Sequence, residues 1–310
     1  MSLVFITGAA GFIGHHLHKQ LKTKNQVEAI DLLAPGNIAA AKRAAVQPVK
    51  QQNIHGAFLN DLANKPDVLI HLAAETGIAG SLKDPLKYFQ TNVSATFNVL
   101  EQCRKNNVRF LIYASSSSVY TPGQSITAET GDTHTQLSFY GTTKKMGEQM
   151  IESYCAQFGI TAIGLRFFTV YGSWTRPDMA AYKFMKAIEN DMPVTLYNEG
   201  EVFRDFTHVS DVVNAIELLI DQIRTEKEGT HQLFNIGYGA PVSVKRYAEL
   251  IAARLNKELA YTFAGLPANE LPATHSNTSK LEQYINYKPK CSIEEGVKEM
   301  VDWFKKERYE

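Results

Sequence analysis

The opening of the chain constrains its fold more than any other segment. A short apolar run, Leu3–Thr7, stops at Gly8, and Phe12–Leu21 then carries apolar residues at helical spacing. A strand that turns through Gly8-Ala9-Ala10-Gly11-Phe12-Ile13-Gly14 straight into a helix leaves the helix's first N–H groups facing the turn, an arrangement suited to a phosphate. The spacing is G-x-x-G-x-x-G. Gly8 is expected to make the tight turn, Gly11 to let a pyrophosphate approach the backbone, and Gly14 to let helix pack on strand. The same alternation continues along the chain. Val27–Asp31, Val68–Leu72, Phe110–Ala114 and Thr161–Phe168 read as strands; a helix from Asp84 to about Asn106, with Pro85 at its first position, and another over Ser138–Phe158 lie between them. Such alternation predicts an α/β fold, a doubly wound parallel sheet whose ligands bind beyond the carboxyl ends of the strands.

The later half is less regular. Met179–Glu189, Val209–Gln222 and Glu294–Lys306 read as helices, the last with Ser292 as N-cap. The expected division is a dinucleotide-binding domain over 1–170 plus about 205–240, and a smaller C-terminal α/β substrate-binding cap over 171–204 and 241–310. Lys+Arg 32 balance Asp+Glu 32, so no global positive field exists to hold nucleic acid or an anionic membrane. No 18-residue apolar window reads as a membrane span, and the N-terminus lacks the basic start of a signal peptide. The 3 cysteines, Cys103, Cys155 and Cys291, are dispersed, which fits neither a disulfide framework nor a metal site and suits a reducing cytoplasm. His15 and His18 share a helix face, but a solvated face is favoured over a metal site.

Residues just after the strands carry the chemistry. Asp31 ends the second strand, where a carboxylate accepts hydrogen bonds from the adenosine ribose hydroxyls and repels a 2′-phosphate; this favours NAD over NADP. Asp61 is a further candidate, facing the adenine. Tyr140-Gly-Thr-Thr-Lys144 places a phenol and an ammonium on one helix face. A free tyrosine, with a pKa near ~10, is too weakly acidic to act as a base at neutral pH, and a neighbouring cation favours its phenolate. Ser115-Ser116-Ser117-Ser118 follow the strand that ends at Ala114, where hydroxyls can bond an oxygen cycling between alcohol and ketone.

Thr7–Gly14, Asp31, His71-Leu-Ala-Ala74, Ser115–Tyr120 and Tyr140/Lys144 together resemble the extended short-chain dehydrogenase/reductase superfamily, nucleotide-sugar branch, and imply a Rossmann-type fold. Gly164-Leu-Arg-Phe-Phe-Thr-Val-Tyr-Gly-Ser-Trp-Thr-Arg-Pro-Asp-Met-Ala180 with Arg204-Asp-Phe-Thr207 narrows this to a resemblance to the UDP-glucuronate 4-epimerases. The resemblance implies Tyr140 as acid/base, Lys144 tuning it and holding the nicotinamide ribose, and Ser116 assisting at the 4-hydroxyl. It implies NAD contacts at Gly8, Gly11, Phe12, Ile13, Gly14, Asp31, Asp61, Leu62, Leu72, Ala73, Ala74 and Phe167. Ser117, Ser118, Thr169 and Arg176 would face the sugar carboxylate, and Arg204 the UDP diphosphate. Implied with these are an NAD-dependent C4 epimerisation of a UDP-sugar, most closely UDP-glucuronate to UDP-galacturonate, service to polysaccharide biosynthesis, and a homodimer formed through the 84–106 and 138–158 helices. A UDP-glucose or UDP-N-acetylglucosamine 4-epimerase, or another nucleotide-sugar oxidoreductase or decarboxylase, remains the alternative. Related dehydratases place Asp-Glu, and decarboxylases Glu, where this chain has Ser117-Ser118. Ala79-Gly80 stand where the glucuronate epimerases carry an Arg-Tyr pair.

Overall fold

The computed structural model describes residues 2–60, 62 and 64–309; Asp61 lies outside them. In chain order the elements are β1 (Leu3–Thr7), α1 (Phe12–Leu21), β2 (Gln26–Asp31), α2 (Ile38–Val46), β3 (Lys50–Gln51), β4 (Val68–His71), α3 (Ile78–Lys83), α4 (Pro85–Phe89), α5 (Ala95–Lys105), β5 (Phe110–Ser116), α6 (Phe139–Phe158) and β6 (Thr161–Phe167). The chain continues through β7 (Thr169–Tyr171), α7 (Ala180–Glu189), β8 (Val194–Tyr197), β9 (Phe203–Arg204), β10 (Phe206–His208), α8 (Val209–Gln222) and β11 (His231–Ile236). It ends with β12 (Val242–Ser243), α9 (Val244–Leu255), β13 (Tyr261–Ala264), α10 (Ser279–Ile285) and α11 (Ile293–Glu307).

Two compact units result. The first comprises 1–122, 129–167 and 213–235; the second comprises 123–128, 168–212 and 236–310. The sequence division placed the chain's return to the first unit near 205, and the compact units divide at 213.

The first unit is built on a seven-stranded sheet of order β11-β6-β5-β4-β1-β2-β3. Its pairs from β3 to β6 are parallel. The order reverses direction between β1 and β4, so the crevice for a ligand opens where Gly8 and Leu72 leave those strands. Val4, Ile6, Leu69, Ile70, Ile112, Ala162 and Ile163 are fully buried, as expected for strands covered on both faces. Each Val, Leu or Ile among them contributes roughly 1.5–3 kcal/mol on full burial.

The phosphate turn is fixed by backbone crowding. Gly8 sits at φ +73, and a Cβ there would lie 2.5 Å from the Ala73 nitrogen, on a backbone that cannot swing away. Gly8→Ala is therefore expected to cost about 3 kcal/mol, left-handed strain and overlap combined, read as a lowered Tm. An unchanged Tm would show that the turn can relax.

Two expectations are corrected. The single helix from Asp84 to about Asn106 is three pieces: α4, a wide π turn over Gln90–Ser94, and α5. The widened turn carries Asn92, whose side chain bonds two other segments. His15 and His18 lie not on a solvated face but at 3% and 8% exposure, because α1 packs that face inward. Burial lowers their pKa values to about 3 and about 4, so both are neutral at pH 7.

The second unit holds three two-stranded pairings, β7 with β10 and β8 with β13 in parallel, β9 with β12 antiparallel. Its core includes Phe206 stacked on Tyr247 at 4.3 Å and the group Tyr182, Trp303 and Tyr309. Aromatic enrichment over 167–206 is thus at least partly core packing. Ser292 caps α11 in a reciprocal arrangement with Glu295. Among the described residues no helix is long and apolar enough to cross a membrane, and no cluster of three His, Cys, Asp or Glu side chains is placed to hold a metal ion.

Candidate active site

In the first unit, Gly11 is the N-cap of α1 and no side chain caps that end, so its leading N–H groups face the turn. Asp31 closes the turn from β2: one carboxylate oxygen accepts the Ala10 N–H at 3.0 Å and the other the Leu33 N–H at 3.0 Å. Arg43 holds the next peptide, its Nε donating to the Ala10 carbonyl at 2.6 Å. Phe12 and Gly14 are buried and Ile13 half-buried on α1. Leu72, Ala73 and Ala74 leave β4 half-buried, with the Leu72 N–H donating to the Thr7 carbonyl. Leu62 packs against the hydrophobic core that includes Phe58 and Leu59.

The serine run divides by role. Ser115 points its hydroxyl at Glu148, 2.6 Å away. Ser116 ends β5 at 6% exposure and accepts the Ser118 N–H at 3.1 Å, which starts a short 3-10 turn with Ser117 and Ser118 half-buried. Ser138 caps α6 through the Gly141 N–H at 3.1 Å, so Tyr140 falls in the first helical turn. Lys144, one turn on and 8% exposed, donates to the Ala114 carbonyl at 3.0 Å. Phenol, ammonium and serine are thereby carried by α6 and the end of β5. Burial lowers the Lys144 ammonium from 10.5 to about 8, leaving it mostly charged at neutral pH. Phe167 ends β6, half-buried, opposite Ser116.

A buried hydrogen-bond chain supports this centre. His71 Nδ1 meets the Thr7 hydroxyl at 2.8 Å, and its Nε2 meets that of Thr96 at 3.2 Å. Thr96 donates to the Asn92 carbonyl at 2.7 Å. Asn92 exchanges two bonds with the Glu75 backbone and donates to Thr143, which donates to the Tyr140 carbonyl. The chain thus runs from the phosphate turn to the backbone of Tyr140. Burial, with the Lys144 charge, lowers His71 to about 3, so it stays neutral.

Tyr88 fills the space beside Gly80. Its hydroxyl donates to the Thr76 and Gly77 carbonyls at 2.6 and 2.9 Å, and its ring meets that of Tyr140 edge-on at 6.2 Å. A Cβ on residue 80 would collide with that phenol. Gly80 is therefore matched to Tyr88.

In the second unit, Thr169 opens β7, half-buried, and its N–H donates to the Asp205 carbonyl at 3.0 Å. Arg176 grips Asp178 through two nitrogens at 2.9 and 2.8 Å. Arg204 pairs with Glu270 at 2.9 Å. Both guanidiniums hold carboxylates of the chain itself, and an anionic ligand would have to replace or join them. Asp205 is fully buried and accepts the Tyr238, Gly239 and Ser276 N–H groups and the Ser276 hydroxyl, anchoring the segment beside Arg204.

Residues 4–237 match the model of the NAD dependent epimerase/dehydratase family. The chain belongs to this family. It is 35% identical to Protein CapI of Staphylococcus aureus over 97% of this chain and 98% of that one. It is 33% identical to UDP-glucuronate 4-epimerase 1 of Arabidopsis thaliana, over 97% of this chain and 76% of the other. Its fold is similar to that of the UDP-glucuronic acid 4-epimerase from Bacillus cereus, crystallised with UDP-glucuronic acid and NAD: TM-score 0.89, 28% identity, covering 98% and 99% of the two chains.

For a member of the NAD dependent epimerase/dehydratase family, the phosphate turn fits its cofactor. A side chain at Gly8 would strike backbone, the α1 N-terminus is uncapped, and Asp31 is fixed at the end of β2. Reading the sequence missed Asn92, Tyr88 and Arg43, and gave no role to His71 and Asp205, which stood only inside quoted motifs. Asp205 lay inside the Arg204–Thr207 motif, an acid next to a proposed anion ligand, and its burial is set by the tertiary structure. Asn92 and Tyr88 had no signal, since their partners are backbone groups of the loop after β4 and, for Asn92, also the Thr143 hydroxyl on α6.

Proposed function

We propose that this protein inverts C4 of a UDP-linked hexuronic acid, interconverting UDP-glucuronate and UDP-galacturonate with NAD retained through turnover. The observation that carries this reading is the placement of Tyr140 and Lys144 one turn apart on α6, with the Lys144 ammonium 3.0 Å from the carbonyl of Ala114 on the strand that ends in Ser116.

Bound NAD supplies the acceptor, and afterwards the donor, for the hydrogen on C4. Tyr140 takes the 4-hydroxyl proton as that hydrogen leaves and gives it back to the 4-keto oxygen on return. Lys144 favours the phenolate through its charge. Ser116 bonds the same oxygen in both states. Inversion requires that the sugar present both faces, so the diphosphate is held, by Arg204 in this proposal, while the sugar turns about its link. Redox change cancels over one cycle.

The uronate sets a further demand. Its 4-keto form is a β-keto acid, which loses CO₂ when the C5–C6 bond aligns with the carbonyl π system. We assign Ser117, Ser118, Thr169 and Arg176 to the carboxylate, to hold that bond out of alignment. Ser117 and Ser118 bring no carboxyl group that could move a proton for dehydration. Thr169→Val is expected to raise KM for UDP-glucuronate roughly 10-fold and leave that for UDP-glucose within a factor of two. Equal KM changes for both sugars would remove Thr169 from carboxylate recognition.

A homodimer through α5 and α6 fits this reading: Phe97 and Phe158 are 49% and 48% exposed, and Met146 is exposed on α6. So does a reducing cytoplasm, given three free thiols at Cys103, Cys155 and Cys291. Incubation of the purified protein with UDP-glucuronate and no added NAD, followed by NMR at C4, tests the function. UDP-galacturonate without net NADH is expected. No inversion on that substrate, or steady NADH release, would overturn it.

A further inference from the structure

Glu148 continues the catalytic stripe of α6. It follows Lys144 by four residues and Tyr140 by eight, so all three project from one side of the helix. It is 2% exposed and grips Arg166, also 2% exposed, through two nitrogens at 2.8 Å each. Ser115 donates to the same carboxylate at 2.6 Å, and Lys145 lies 3.5 Å away. Arg166 spends its third bond on the Glu129 carbonyl at 3.1 Å, and its guanidinium lies over the Tyr120 ring at 4.7 Å. Burial alone would raise the Glu148 carboxyl; the Arg166 bonds and charge, with Ser115, hold it below the usual carboxylate range.

The register places this pair next to the chemistry. Ser115 and Arg166 face each other across β5 and β6, and the next rung is Ser116 opposite Phe167. Glu148 therefore ties α6 to both strands one rung before the proposed catalytic serine and nicotinamide wall. The pair is an expensive way to secure stability, because desolvation of two ions offsets much of their attraction and apolar residues of similar volume serve as well. A two-pronged ionic bond does supply directional constraint that apolar packing lacks.

We propose that Glu148 and Arg166 are positioning residues that set the register of Tyr140 and Lys144 against Ser116. They touch no reacting atom. The proposal rests on the assignment of those three residues to the C4 chemistry.

Three variants test it: Arg166→Lys, which keeps the charge and loses the two-pronged grip; Glu148→Gln, which keeps the shape and loses the charge; and the apolar pair Glu148→Met with Arg166→Leu. With wild type alongside, kcat and KM for UDP-glucuronate, Tm, and the single-turnover absorbance change of the bound dinucleotide are measured. Misplacement on the order of 1 Å costs about 100-fold in rate, so Arg166→Lys is expected to lose roughly 100-fold in kcat and in single-turnover rate, with KM within about threefold. The apolar pair is expected to retain its Tm and lose kcat. Wild-type kcat in a folded Arg166→Lys or in the apolar pair overturns the positioning role while leaving the function standing. Loss that follows Tm alone, with kcat per folded molecule unchanged, also overturns it. Absence of C4 inversion by the wild type overturns the functional reading itself, and the positioning role with it.

Discussion

Replacing Tyr140 by Phe is expected to lower kcat for C4 inversion by roughly 10³-fold while leaving dinucleotide and UDP-sugar binding nearly intact. The phenol sits in the first turn of a helix capped by Ser138, and its ring rests edge-on against Tyr88. Both features survive loss of the hydroxyl, so the variant should fold with an unchanged Tm. The proton of the 4-hydroxyl then has no partner of matched acidity. Kinetics by NMR, with calorimetric binding of UDP-glucuronate, separate chemistry from binding. Retention of more than a tenth of wild-type kcat would show that another group moves the proton.

Lys144→Met is expected to do two opposite things: lower kcat by roughly 10³-fold and raise thermal stability at pH 7. Burial pulls the folded-state pKa from 10.5 to about 8. Between those values the unfolded chain holds a proton that the folded chain has released, so wild-type stability climbs with pH across the window. Below about 8 both states are charged and the folded state carries the whole burial cost, about 3 kcal/mol. Methionine removes that cost and gives up the bond to the Ala114 carbonyl, for a net gain in Tm of roughly 3 °C. The gain should fade as pH rises toward 10. A lower Tm at pH 7 would mean that the ammonium stabilises the fold, contrary to its burial.

The two variants separate chemistry from architecture. One removes the proposed acid/base and the other the charge that tunes it, and only the second relieves a buried charge. The supporting chain of His71, Thr96, Asn92 and Thr143 is expected to keep α6 in place in either variant, since it holds the Tyr140 backbone through bonds that do not involve the phenol or the ammonium.

Sequence alone determined the parallel sheet and the glycine turn after β1, and it singled out Tyr140, Lys144 and the serine run after β5 as the candidate set. Each is written in local spacing: glycines every third residue after a strand, i and i+4 on a helix, hydroxyls where an apolar run stops. The tertiary structure decided what locality cannot encode. The single helix read from Asp84-Pro85 to about Asn106 gave no sign of the π turn at Gln90–Ser94, because it arises where Asn92 is drawn to Glu75 and Thr143 on other segments. Histidines on α1 looked solvated until the packing of that face excluded water from His15 and His18. The tie of Glu148 to Arg166 and Ser115 spans residues 18 and 33 positions away, and only the closing of the sheet beside α6 brings those side chains within hydrogen-bond reach.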